Sequence, residues 1–314
     1  MVATSTFFLS CTLAFQFPYD GPIAPRLRPE TAPVADLRVD VPLALIPVHV
    51  TTEFGASVTT LKQENFRVFE DGVEQKIANF SSEDAPLSNG LLFDASGSMR
   101  NKIRNSAEAA AAFFRTANAD DEFFLVEFND RAKLSIPFTR DANLIYQHIV
   151  RTRPVGRTSL LDAIHMALTQ MKDAKHLRKA IVIVSDGGDN RSRYTESEIK
   201  SAMREADVQV YALGIFDPDD QPKHTPEEKN GPKLLGELAH QTGGRDFAIH
   251  NLEDLPTVCE RIGNELRNQY VIGYAPSNAD DSGYRHVKVT LAAPEMPPMR
   301  IYHRQGYFPE GARP

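Results

Sequence analysis

Five oxygen-bearing residues fall at positions that suit a hard cation. Asp94, Ser96 and Ser98 alternate in GLLFDASGSMRNK, directly after a short apolar run. Thr158 lies in PVGRTSLLDAI, just ahead of a helical pattern, and Asp186 ends the apolar run KAIVIVSD. Ligands of an open α/β sheet gather at the carboxyl ends of its parallel strands, so Asp94 and Asp186 are expected on one rim. Two carboxylates and three hydroxyls form an all-oxygen donor set. That set suits Mg²⁺ with waters completing the shell, with Mn²⁺ or Ca²⁺ as alternatives. Taken singly, each residue also reads as a helix cap or turn former: Ser98 near Met99, and Thr158 or Ser159 ahead of Leu160. The joint pattern, in order and on strand ends, favours the metal.

The elements that must position these residues change character along the chain. Residues 36–52 and 65–82 are β-like, and the second stretch reads as a hairpin turning at Asp71-Gly72. From Gly90 onward short apolar strands alternate with helical patterns. Strands are expected at 90–94, 122–128, 132–138, 179–186 and 208–215. Helices are expected at 103–117, 141–151, 159–173, 196–205, 233–241 and 252–268. This alternation implies a mostly parallel sheet covered by helices on both faces. The last segment reverts to three β-like runs. The simplest architecture is one small β-sandwich-like domain formed by both chain ends (36–86 and 269–308), with a doubly wound α/β domain (87–268) inserted between them.

The 314 residues carry a net charge of -7 without a dense Lys/Arg cluster, which argues against a nucleic-acid partner. Residues 4–17 are apolar and uncharged. They are too short to span a bilayer and resemble a secretory signal, although no basic residue precedes them. A Pro-rich linker is expected at 18–35, no later segment reads as a membrane span, and an exported protein follows: secreted, periplasmic or envelope-associated. The two cysteines, Cys11 and Cys259, divide accordingly: Cys11 lies in the signal-like run, where FLSC loosely matches a lipidation box, and Cys259 reads as a small buried apolar residue.

DASGSM resembles the D-x-S-x-S signature of von Willebrand factor type A domains, whose metal-ion-dependent adhesion site also takes a threonine and an aspartate from two later loops. Thr158 in GRTSL and Asp186 in VSDGGDN match those two positions. The flanks, ENFRVFEDGVEQKIANFS and LRNQYVIGYAP with RQGYF, resemble a bacterial subgroup of the same family. The resemblance implies a Rossmann-like domain in which Asp94, Ser96, Ser98, Thr158 and Asp186 hold a divalent cation. It also implies a protein partner whose acidic side chain fills the open coordination position. The alternatives it leaves are a subunit docking onto an enzyme or ATPase complex, and a purely structural metal.

Catalysis is not expected. An aspartyl-phosphate enzyme would want a second acid two residues after Asp94, where Ser96 stands. Neither Ser96 nor Ser98 has the glycines of a nucleophile elbow, no H-E-x-x-H occurs, and His240 and His250 are isolated. The acidic, Pro-rich stretch 216–232 is expected to leave a strand on the metal rim, as a solvated surface loop first and, in the functional alternative, as a screen for the partners that reach the cation. Arg157, Arg191 and Arg193, next to Thr158 and Asp186 in sequence, read either as attractors of a partner carboxylate or as ordinary exposed arginines. Asp189 is read as a support in the turn after Asp186, Asp162 as a helix-end charge, and Asp120 and Asp121 as turn residues. The last helix of the α/β unit leads into the β base, so its displacement would carry a signal there.

Overall fold

The computed structural model describes residues 43–82, 84–186, 188–215, 226–277, 283–292 and 297–309. The signal-like run, Cys11, the linker, the first residues of the β flank and most of the 216–232 loop lie outside them.

At the centre is a six-stranded sheet in the order β10-β9-β8-β5-β6-β7, formed by β5 (Leu87–Asp94), β6 (Glu122–Phe128), β7 (Ala132–Thr139), β8 (Arg178–Ser185), β9 (Gln209–Ile215) and β10 (Asp246–Ile249). All neighbours run parallel except β7, which closes one edge antiparallel to β6. The apolar runs alternate sides, as the two-residue strand period requires. Leu91 and Phe93 of β5, with Val182 and Val184 of β8, face a core shared with α1 (Ile103–Phe114), α2 (Ala142–Arg151) and α6 (Leu255–Arg267). Leu92, Ile181 and Ile183 face the opposite core, against α3 (Leu160–Gln170), α4 (Glu196–Glu205) and α5 (Pro226–Thr242). This is the doubly wound α/β layering expected from the alternating pattern.

Both flanks combine into two antiparallel sheets. One has the order β13-β1-β11-β4, from β1 (Ala44–Thr52), β4 (Ile77–Ser81), β11 (Tyr270–Tyr274) and β13 (Met299–His303). The other has the order β14-β12-β2-β3, from β2 (Phe66–Glu70), β3 (Val73–Gln75), β12 (Arg285–Leu291) and β14 (Gly306–Tyr307). Ile46, Val48, Val68, Ile272 and Val289 from the two sheets share a single core.

Two local departures from the sequence reading have physical causes. The hairpin does turn at Asp71-Gly72, both with positive φ (48° and 84°), but its second arm is only Val73–Gln75. The chain then leaves for the other sheet, where Phe80 packs against Tyr270 and Phe66 at centroid distances of 5.6 and 5.5 Å. Aromatic burial in the sandwich outweighs continuing a short hairpin. Strand β10 escaped the sequence reading because only Ile249 of its four residues is buried, so no alternation is visible.

The joint between β1 and α6 is polar. His49 is fully buried and its Nδ1–H donates to the Asn268 carbonyl at 3.3 Å. Its Nε2 lies 3.9 Å from Glu265, which also pairs with Arg245 and Arg261. Burial, reinforced by the two arginines, lowers the His49 pKa to about 4, so the ring is neutral at pH 7. A depressed histidine pKa gives stability that is present above pH 6.5 and lost as the pH falls toward 4. Over that window the protein should lose up to about 3 kcal/mol from this residue. Urea unfolding of the wild type and His49→Gln at pH 7 and pH 5 checks this. A variant losing as much as the wild type would remove His49 as the cause.

Candidate metal site

Strand order places the site. From β5 the chain moves to β6 on one side, then returns through α3 to β8 on the other, so β5 and β8 flank the point where the winding reverses. The loops leaving these two strands diverge onto opposite faces and open a crevice at their carboxyl ends. Asp94 is the last residue of β5 and Asp186 follows the last residue of β8. Three backbone bonds fix the neighbouring loops: Ala95 N–H donates to Phe128 O at 2.8 Å, Val155 N–H to Ala95 O at 2.9 Å, and Gly97 N–H to Gly156 O at 3.0 Å. Gly156 has φ 82°, and a Cβ there would meet the Asp130 carboxylate at 2.5 Å. That carboxylate accepts the Arg157 N–H at 3.0 Å and so holds the loop that leads into Thr158.

Asp94 is fully buried. It accepts the Ser96 N–H on Oδ1 at 2.8 Å and the Ser185 hydroxyl on Oδ2 at 2.6 Å. Asp186 accepts the Ser98 hydroxyl on Oδ1 at 2.9 Å and the Lys102 ammonium on Oδ2 at 2.7 Å. The Ser96 and Ser98 hydroxyl oxygens lie 2.9 Å apart. Burial, then the negative charge of Asp186, raise the Asp94 pKa to about 7. Thr158 is buried, with its N–H donated to Asn190 Oδ1 at 3.0 Å, while no hydrogen bond engages its hydroxyl among the described residues.

The capping roles are taken by other groups. No side chain caps α1, and Ser98 donates to Asp186 instead. No side chain of Ser159 caps α3. Asp189 was read as a support for the Asp186 turn. It reaches across to the start of α3, accepting the Leu161 N–H at 3.3 Å and the Ser192 hydroxyl. Asp162 is more than a helix-end charge: it accepts the Arg193 N–H at 2.9 Å, the Arg193 Nε–H at 3.2 Å and the Tyr194 N–H at 3.3 Å. Together Asp189 and Asp162 staple the loop after β8 onto α3. Beside this staple opens a groove of about 1060 Å³ whose walls include Arg131, Arg191, Arg193 and Tyr194. The Tyr194 ring stacks on His165 at 4.0 Å between centroids.

Lys102 and Ser185 were not singled out from the sequence. Lys102 left one usable signal: a cation at the N-terminus of a helix opposes the helix dipole and calls for a nearby carboxylate. Ser185 left none, because a serine at a strand end has many uses.

The donor set fits a hard divalent cation. Among the described residues no group of three His, Cys, Asp or Glu side chains converges, so a metal here depends on hydroxyl oxygens joining two carboxylates. Burial of Asp94, its repulsion by Asp186 and the unengaged Thr158 hydroxyl all favour a cation among these oxygens.

With the geometry defined, a family model and a solved structure agree with the α/β fold. The family model described as von Willebrand factor type A domain matches residues 91–188. An uncharacterized protein of Borreliella burgdorferi is 22% identical over 168 residues, covering 49% of this chain and 49% of that protein. Inter-alpha-trypsin inhibitor heavy chain H2 of Sus scrofa is 28% identical over 154 residues, covering 43% of this chain and 16% of that protein. The matches therefore span about half of the first relative and a small part of the second. The solved structure of von Willebrand factor type A from Catenulispora acidiphila superposes with a TM-score of 0.50 at 12% identity, covering 88% of this chain and 76% of that one. Residues 91–188, which carry the second half of β5 and all of β6, β7 and β8 of the sheet just described, match the von Willebrand factor type A domain.

Proposed function

We propose that this protein is a non-enzymatic, exported binding module that holds a divalent cation, Mg²⁺ first among the candidates, and offers it to an acidic side chain of a partner protein. The observation that carries this reading is the junction of Asp94, Ser96, Ser98 and Asp186 in one hydrogen-bonded cluster at the switch point, with no capping duty to explain them. Asp94, Asp186 and the hydroxyls of Ser96, Ser98 and Thr158 would hold the cation. When bound, the cation supplies a directed positive charge for a partner carboxylate.

The groove beside α3 supports an acidic partner. Arg131, Arg191 and Arg193 are exposed there in a chain of net charge -7, while the groove's own Asp130 and Asp162 accept internal hydrogen bonds. Complementary charge at such a rim favours encounter and selects against basic partners. Export rests on the signal-like N-terminal run. Among the described residues no helix is long and apolar enough to cross a membrane.

Calorimetric titration of Mg²⁺ and Mn²⁺ into metal-stripped protein tests the reading, with the Asp94→Ala/Asp186→Ala double variant as control. Saturable one-site binding that disappears in the variant is expected. Absent binding, or binding untouched by the substitutions, would leave the cluster as a hydrogen-bonded loop staple and end the adhesion-type reading.

A further inference from the structure

The Lys102 side chain is only 8% exposed and its Nζ lies 2.7 Å from Asp186 Oδ2. Asp186 is itself one of the two proposed anionic ligands, so the site already contains a tethered cation. We propose that Lys102 makes the divalent cation and an acidic ligand load as a pair, each binding weakly without the other. The proposal rests on the metal reading above and concerns how that site is regulated.

The argument is one of charge in a poorly solvated place. With both carboxylates ionised, as ligands of a dication are, they and the ammonium leave a single negative charge. A dication then leaves a single positive charge beside a fully buried Asp94 and a nearly buried Asp186. An uncompensated charge in such surroundings is costly, and repulsion between the ammonium and the dication is little screened there. The start of α1, where Lys102 stands, adds the positive end of a helix dipole to the same side. A ligand carboxylate restores neutrality. Because the two bindings are linked, whatever factor the carboxylate adds to metal affinity, the metal adds to carboxylate affinity. With a neutral side chain at position 102, two carboxylates would balance the dication alone, and the dependence would vanish.

Lys102 also holds Asp186 in place, and that purely structural role predicts the opposite sign. If orientation were all it did, removing it would weaken metal binding. The sign of the change therefore separates the two roles.

The test is calorimetric titration of Mn²⁺ into the metal-stripped full chain, in sodium acetate and in sodium chloride of equal ionic strength. It is run on the wild type, Lys102→Met and Lys102→Arg, with melting curves to establish folding. Acetate is expected to tighten Mn²⁺ binding to the wild type several-fold. Lys102→Met is expected to bind Mn²⁺ in chloride roughly tenfold or more tightly than the wild type, with the acetate effect largely gone. Lys102→Arg should behave as the wild type. A folded Lys102→Met variant with equal or weaker affinity overturns the proposal, as does wild-type Mn²⁺ binding that is indifferent to acetate. The acetate arm needs no variant and decides the matter even if Lys102→Met does not fold. Failure of the wild type to bind Mn²⁺ in either salt is a different result: it removes the metal reading itself, and this inference with it.

Discussion

Replacing Arg267 with methionine is expected to lower the unfolding free energy by about 3–5 kcal/mol, the usual cost of leaving one half of a buried ion pair behind. Arg267 closes α6 and is 5% exposed; it pairs with Asp121, which is 1% exposed, and with Asp84 at 3.0 Å. Asp121 looked like a turn residue in the sequence. It is a buried junction, accepting the Leu87 N–H at 2.8 Å and the Asn118 N–H at 2.9 Å as well as the guanidinium. Burial already raises its pKa against the opposing pull of Arg267, and losing the guanidinium removes the largest of the groups that oppose that rise. The double variant Arg267→Met/Asp121→Asn should recover part of the loss, since the carboxylate that lost its partner is then neutral. Urea unfolding of the four proteins in this cycle gives the coupling. A single-variant loss below about 1 kcal/mol would mean the pair does not anchor the helix.

That anchor bears on signalling. Arg178 donates to the Leu266 carbonyl and, at 3.3 Å, to Gln269, so the end of α6 is tied to β8 and to the chain entering β11. Gly263 of α6 packs so closely on the turn that follows α1 that a Cβ there would lie 2.0 Å from the Thr116 hydroxyl oxygen. Displacing α6 toward the β base would require breaking these contacts. Equal hydrogen-exchange protection of 255–267 with and without Mg²⁺ would remove helix displacement as a route to the base.

Asp94→Asn should move stability and binding in opposite directions. The amide can still accept the Ser96 N–H and can donate to Ser185, so the hydrogen-bond frame survives. What disappears is a buried negative charge opposed by burial and by Asp186. A carboxyl whose folded pKa is raised from 3.8 to about 7 contributes stability that is fully present below pH 3.8 and lost as the pH rises through 7. At pH 8 the metal-free variant should therefore be more stable than the metal-free wild type, by up to about 4 kcal/mol, and the difference should shrink at pH 5. Cation affinity should fall at least tenfold or so, because an anionic ligand has become neutral. Denaturant unfolding at the two pH values and the Mn²⁺ titration together check both signs. A variant less stable than the wild type at pH 8 would show that the charge is held favourably even without metal. Opposed changes of this kind are expected where a residue is kept for function at a cost to stability.

Some of this protein is legible one residue at a time. The alternation of apolar runs and helical patterns between 87 and 268 gives the layered α/β domain, because strand and helix periods are local properties of the chain. The DASGSM motif, Thr158 and Asp186 announce themselves in the same way: each sits where an apolar strand stops or a helix starts, and hydroxyls and carboxylates there have no packing reason to be present. The tertiary structure alone decided which groups those residues meet. Lys102 finds Asp186 across 84 positions, Ser185 finds Asp94 across 91, and Arg267 finds Asp121 across 146. None of these pairs has a local signature, because the charge that each group requires is supplied by a strand or helix far away in the chain. The same holds for β4, whose residues read as the second arm of a hairpin until the aromatic core of the sandwich claims Phe80. Residue types fix what a position is able to do, whereas strand order, which brings β8 beside β5 and the first flank beside the last, decides what it does it with.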